Sequence, residues 1–123
     1  MSLASEMMQG GISAGGAKAI NGTVASSVSA AGTTLATGTA LTTGHNLVTT
    51  VAASSGVVLP NSEIGDELFV YNGTTTNPLK VYPPTTSATI NQLSAGTAMN
   101  LAPYTGCKFK KASATAWSAW LSA

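Results

Sequence analysis

Short apolar runs separated by turn-forming residues are the feature that most constrains this sequence. Beyond residue 33, runs such as 67–71 and 79–82 alternate with clusters of Gly, Pro, Asn and Ser, and the turns recur roughly every eight to twelve residues. No segment after residue 41 keeps the apolar period of an amphipathic helix. We therefore predict an all-β domain with the turn spacing of a sandwich or barrel, and we favour a small β-sandwich or jelly-roll-like module.

The N-terminal quarter of the chain has a different composition. Residues 1–32 are rich in Gly, Ala and Ser, and their few large apolar residues are isolated. Such a segment buries too little apolar area to offset the entropy lost on ordering. Two interpretations stay open for this extended or partly disordered arm: a disordered leader, or an arm that orders against another subunit. The predicted β-sandwich domain is then residues 33–123, and we expect the arm to be dispensable for folding but needed for attachment to a partner.

The low charge of the chain excludes some classes of function and favours others. Charged residues make up 7% of the chain, there is no arginine, and the net charge is +1. Nucleic-acid binding draws on clustered Lys and Arg, and the only dense positive run is Lys108, Lys110 and Lys111. In a strand the first two share one face, so we interpret the run as a solvated strand edge. We expect no nucleic-acid partner, and a charge-poor surface of this kind favours a homo-oligomer.

The sequence also lacks the features of a membrane protein and of a disulfide-stabilised protein. No apolar run approaches the roughly 20 residues that a membrane-spanning helix needs, and the first residues do not form a signal peptide, so we expect no membrane partner. The single cysteine, Cys107, excludes an internal disulfide and is predicted to be buried.

The residues that carry chemistry are too few and too poorly spaced for catalysis or metal binding. His45 and Cys107 are the only residues of their types, whereas a zinc site needs about four ligands. Glu63, Asp66 and Glu67 surround a predicted turn at residue 65, which is more simply a solvated turn than a calcium loop. His45 is predicted to be an exposed residue of a glycine-flanked turn rather than a catalytic base. We therefore predict a protein that is not an enzyme, with no catalytic, metal-binding or cofactor-binding residues and no cofactor.

Seven large side chains are available to fill the predicted core: Phe69, Tyr71, Val81, Leu93, Leu101, Phe109 and Trp117. Trp117 and Trp120 lie three positions apart and fall on opposite faces of a strand. We therefore expect one of them in the core and the other at an interface, rather than both on one carbohydrate platform.

An ordered set of motifs resembles a small β module found in structural proteins of tailed bacteriophages. The resemblance covers about residues 33–120. Its motifs are Gly56-Val57-Val58-Leu59-Pro60, Ile64-Gly65-Asp66, Leu79-Lys80-Val81-Tyr82-Pro83, Ile90-Asn91-Gln92-Leu93 and the late Trp117.

This resemblance implies a virion structural protein, with capsid decoration or cement as the leading role. Its expected partners are the major capsid protein or other virion subunits and further copies of itself, with a trimer favoured. The expected location is the virion, at the capsid surface, after assembly in the cytoplasm of the bacterial host.

Two other functions were weighed against this one. A tail-fibre or tail-spike module that binds a host cell-surface glycan is the main alternative, and clustered exposed aromatic residues would favour it. The sequence shows no upstream stalk pattern, which favours the capsid. A small hydrolase on a β scaffold is the third.

Overall fold

A computed structural model describes residues 23–121 of the protein, and these residues form ten β-strands and no helix. The all-β prediction is thus confirmed. The strands are β1 (Val24–Ser29), β2 (Thr39–Ala40), β3 (His45–Thr50), β4 (Gly56–Val58), β5 (Glu67–Asn72), β6 (Leu79–Tyr82), β7 (Thr89–Ile90), β8 (Met99–Leu101), β9 (Gly106–Lys111) and β10 (Ala116–Leu121).

The strands form two sheets, and the chain moves from one sheet to the other at almost every turn. The six-stranded sheet has the order β1-β3-β5-β9-β10-β7, and the four-stranded sheet has the order β2-β4-β6-β8. Strands β1, β3 and β5 pair in parallel, as do β2, β4 and β6. Val24, His45 and Phe69 therefore occupy equivalent positions in three successive coils. The fold begins as a two-sheet β-solenoid.

The last strands close the solenoid with antiparallel pairs. Strand β8 pairs antiparallel with β6, and β9 inserts antiparallel between β5 and β10. The predicted β-sandwich or jelly-roll arrangement, which is built from antiparallel pairs, is therefore corrected to a solenoid. A parallel pair requires a crossover, and here a strand of the opposite sheet supplies it. Turns recur at the same spacing in both architectures, so the spacing alone does not separate them.

The core lies between the two sheets and confirms four of the seven predicted core residues. Val81, Leu101 and Phe109 are completely buried, and Trp117 is 2% exposed. They pack in one cluster with ten further buried side chains: Leu41, Val48, Val51, Val57, Leu59, Leu68, Val70, Leu79, Ile90 and Cys107.

Three of the predicted core residues lie elsewhere. Strand β5 buries Leu68 and Val70, and this alternation turns Phe69 and Tyr71 to the outer face of the six-stranded sheet, where both are half-buried. Leu93 lies in the turn after β7 and is 38% exposed. The prediction that these three fill the core was wrong. In the case of β5 the reason is that both faces of the strand are apolar, so the sequence did not show which face is inside.

The β domain begins earlier than the predicted boundary at residue 33. Strand β1 lies within the predicted arm and pairs with β3, while Val28 and Ala30 pack against the core. Ala31 forms an antiparallel bridge with Gly56 in the other sheet. The part of the predicted arm that the structure describes is therefore integral to the fold. The rest of the arm, residues 1–22, lies outside the described residues.

Two turns contain a residue with a positive φ. Gly65 has a φ of 95°, and a carboxylate oxygen of Asp66 accepts a hydrogen bond from the backbone N–H of Glu63 at 2.9 Å. Asn91 has a φ of 52°, and its side-chain amide bonds both the N–H and the carbonyl of Ala119 on β10. The Asn91 side chain therefore takes the place of a strand residue where β7 ends.

Candidate functional site: two binding surfaces

The outer face of the six-stranded sheet carries a continuous row of large side chains. The strand pairing aligns Val24, His45, Phe69, Lys108 and Trp120 across five neighbouring strands. Directly paired residues point to the same side of a sheet, so these side chains are neighbours. Trp120 is 55% exposed and Val24 is 67% exposed, while Phe69 is half-buried. We call this set the outer row.

Packing holds the aromatic part of the outer row in place. The rings of His45 and Phe69 are stacked, with centroids 5.3 Å apart and planes within 4° of each other. The edge of the Phe69 ring lies over Gly106, where an added Cβ would approach the ring Cζ to 2.7 Å. Tyr71, which is paired with Gly106, lies beside the ring. Gly106 therefore leaves the space that lets Phe69 lie down on the sheet.

Charged groups occupy the middle of the same face. The Lys108 ammonium lies 3.1 Å from a carboxylate oxygen of Glu67, and the Lys110 ammonium lies 3.9 Å from the same oxygen. The lysine side chains are about half exposed, at 51% and 46%, and exposed ion pairs of this kind contribute little to stability. Two ammonium groups share one carboxylate, which leaves this part of the face positive.

The second surface is the end of the solenoid where the first coil starts. Within residues 23–121 no strand pairs with the outer edge of β1 or of β2. Neither strand contains Lys or Pro, the residues that commonly protect sheet edges from pairing with another chain. We call this surface, formed by the free edges of β1 and β2, the open end.

A cleft of about 250 Å³ lies between β1 and β2 at the open end. Its lining is small and uncharged, and it includes Ala25, Ser27, Val28, Thr39 and Leu41. The buried amide of Asn46 also borders the cleft, and its Nδ2 donates to the carbonyl oxygens of Thr43 and Phe69 at 3.0 and 3.2 Å. The cleft therefore offers apolar surface and hydroxyl groups but no fixed charge.

The lysine run is placed differently from the prediction. Lys108 and Lys110 share the outer face and Lys111 takes the other, as the alternation predicted. The strand that carries them is not an edge, however, because β9 lies between β5 and β10. Lys111 is only 7% exposed, and its ammonium donates to the backbone carbonyl of Ser62. The prediction of a solvated strand edge is therefore corrected.

The other residues considered for chemistry are scattered over the molecule. His45 is exposed as predicted, but it begins strand β3 instead of lying in a turn. Among residues 23–121 no group of three or more His, Cys, Asp or Glu is placed to hold a metal ion. Cys107 is buried as predicted, and burial raises the pKa of its thiol to about 11. Of the two tryptophans, Trp117 is in the core and Trp120 is on the surface, as expected for opposite faces.

Sequence reasoning placed Trp120 on the surface and Lys108 beside Lys110, but it did not identify the outer row or the open end as candidate surfaces. The alternation of Glu67, Phe69 and Tyr71 with Leu68 and Val70 was visible, but it did not reveal which set faces outward. The open end depends on parallel pairing between residues far apart in the chain, for which the sequence carries no local signal.

Comparison of the chain with protein-family models and with curated proteins gives no match. No helix within residues 23–121 is long and apolar enough to cross a membrane.

Proposed function

We propose that this protein is a structural subunit of a tailed-bacteriophage particle, and that it binds other virion subunits by strand addition at the open end. The observation that carries the proposal is the free, uncharged edge of β1 beside a cleft lined by small side chains. The order of the sequence motifs and the charge-poor composition support the same interpretation.

The open end is suited to an added strand for two physical reasons. An edge strand presents backbone N–H and C=O groups toward its free side, and each net hydrogen bond to an added segment contributes about 1 kcal/mol. The cleft behind β1 has room for alternate side chains of that segment, since Ala25 and Ser27 are small. An added strand would continue the winding that β1, β3 and β5 already follow.

Within a particle, the role that we propose is capsid decoration or cement, with the major capsid protein as partner and self-association into a trimer. This assignment is supported by the resemblance of residues 33–120 to virion modules. A tail-fibre or tail-spike module that binds a cell-surface glycan is the second candidate, and it is favoured by exposed Trp120 and by the stacked rings of His45 and half-buried Phe69 in the outer row.

The substitution Ser27→Lys tests the proposal. Ser27 is exposed and lines the cleft, so a lysine there places a charge where an added strand would bury it. Ser27→Thr is the matched control, because it keeps the hydroxyl and favours a strand. We expect Ser27→Lys to reduce self-association in sedimentation velocity, and to reduce binding to particles purified from a phage lacking this protein, at least tenfold. Equal binding by both variants, with equal thermal stability, would overturn strand addition at this edge.

A further inference from the structure

Phe69 and Trp120 flank Lys108 on the outer face of the six-stranded sheet. They lie on strands β5 and β10, which β9 separates, so their positions are two strand spacings or about 10 Å apart. Lys108 occupies the intervening position, and its ammonium is held toward Glu67. The outer face therefore has an aromatic side chain on each side of Lys108, with an ammonium and a carboxylate group between them.

The distribution of charge on this face selects among ligands. Lys108, Lys110 and Glu67 are central, and charged residues are depleted at the centre of protein–protein interfaces. A sugar ring, by contrast, has apolar C–H faces that pack on aromatic side chains and hydroxyl groups that bond to ammonium and carboxylate groups. Because two ammonium groups share one carboxylate, a ligand that carries a carboxylate would find an unsatisfied positive charge.

We propose that the outer face binds a carboxylate-bearing oligosaccharide, with its sugar rings packed against Phe69 and Trp120 and its carboxylate bound to Lys108 and Lys110. His45 and Gly106 act as positioning residues, because they hold the Phe69 ring against the sheet. This site is separate from the open end proposed for strand addition, and it deepens the second candidate function by naming the class of glycan and the residues that bind it.

The test uses the full chain and a panel of acidic oligosaccharides: trigalacturonate, trisialic acid and a hyaluronan tetrasaccharide, each compared with a neutral trisaccharide. Binding is measured by titration calorimetry and by the indole N–H signals of the two tryptophans in NMR. We expect at least one acidic probe to bind and to shift the signal of exposed Trp120 more than that of buried Trp117.

Four substitutions identify the site. Trp120→Ala should weaken binding at least tenfold, and Leu121→Ala is the control, since it is an adjacent exposed residue outside the outer row. Lys108→Gln and Lys110→Gln should each lower the affinity for the acidic probe severalfold and leave any binding of the neutral probe unchanged. Trp120 is the aromatic residue chosen for substitution, because it is 55% exposed and its truncation leaves the core packing unchanged.

Three outcomes would overturn the inference. The first is that no acidic probe binds. The second is that neutral and acidic probes bind equally and the lysine substitutions have no effect. The third is that Trp120→Ala changes the oligomeric state in light scattering and leaves the sugar affinity unchanged. The last result would assign the face to a second copy of the chain. Ser27→Lys should leave sugar binding intact, so failure at the open end is distinguishable from failure here.

Discussion

Replacing Phe109 by alanine tests the position of the core more sharply than any other single change. Phe109 is completely buried and is paired with Leu68 on β5 and with Ala119 on β10. Truncation removes the whole ring from the interior and leaves a cavity, which costs about 3–5 kcal/mol for a buried Phe. Domains of this size have a free energy of unfolding of about 5–15 kcal/mol, so much of the stability should be lost. Urea denaturation followed by the fluorescence of Trp117 measures the change.

Phe69→Ala is the matched control for this prediction. It removes the same atoms from the neighbouring strand, but from the half-buried outer face, so we expect a loss of only about 1 kcal/mol. In both variants the unfolding free energy should depend on urea concentration with the same slope as in the parent, which would show that only stability has changed. The reasoning is refuted if the two variants lose similar stability, or if Phe69→Ala loses more.

Three further predictions concern the start of the domain, the turn after β7 and the buried thiol. A chain beginning at Thr23 should fold, whereas a chain beginning at Thr33 lacks β1 and should lose at least about 3 kcal/mol in urea denaturation; equal stability would show that β1 is not part of the fold. Asn91→Ala should cost about 2 kcal/mol, because it removes two hydrogen bonds and places alanine at a positive φ. Asn91→Gly should lose less stability than Asn91→Ala in the same assay, since glycine adopts a positive φ without strain. A smaller loss of stability for Asn91→Ala than for Asn91→Gly would contradict this account. For Cys107, the pKa rises from 9.0 to about 11 on folding, so the unfolded state releases its proton first and stability should fall as pH rises from about 9 to 11. A Cys107→Ala variant should lack that part of the loss, and identical pH profiles for the two proteins would argue against a buried thiol.

Local pattern was a good guide to the strands themselves. The apolar runs at residues 67–71 and 79–82 correspond to the observed strands β5 (Glu67–Asn72) and β6 (Leu79–Tyr82). The turn predicted at residue 65 is also observed, and Gly65 has a positive φ there. These features depend on neighbours in the chain, which the sequence displays directly.

The arrangement of the strands could not be derived in the same way. Parallel pairing of β1 with β3 joins residues with a whole coil between them, and nothing local distinguishes that coil from a hairpin. Strand β1 was also assigned to an arm because its residues are small. Its stability comes from pairing with β3 and from Val28 against the core, which are contacts that composition does not reveal.

The candidate surfaces were predictable only in part. Alternation placed Trp117 and Trp120 on opposite faces and Lys108 beside Lys110, and the structure confirms both. The approach of Phe69 to Trp120 depends on β9 inserting between their strands, a long-range arrangement. The pair formed by half-buried Phe69 and exposed Trp120 is therefore recognised only once the sheet order is known.

Hydrogen–deuterium exchange of the free and particle-bound protein is the measurement that tests strand addition at the open end most directly. The proposal predicts that backbone amides of Val24–Ser29 exchange more slowly when the protein is bound, because an added strand bonds the free edge of β1. Amides of central strand β9 should be unaffected, since both of its edges are already paired. Unchanged exchange in β1, together with protection at another surface of the bound protein, would contradict the proposal.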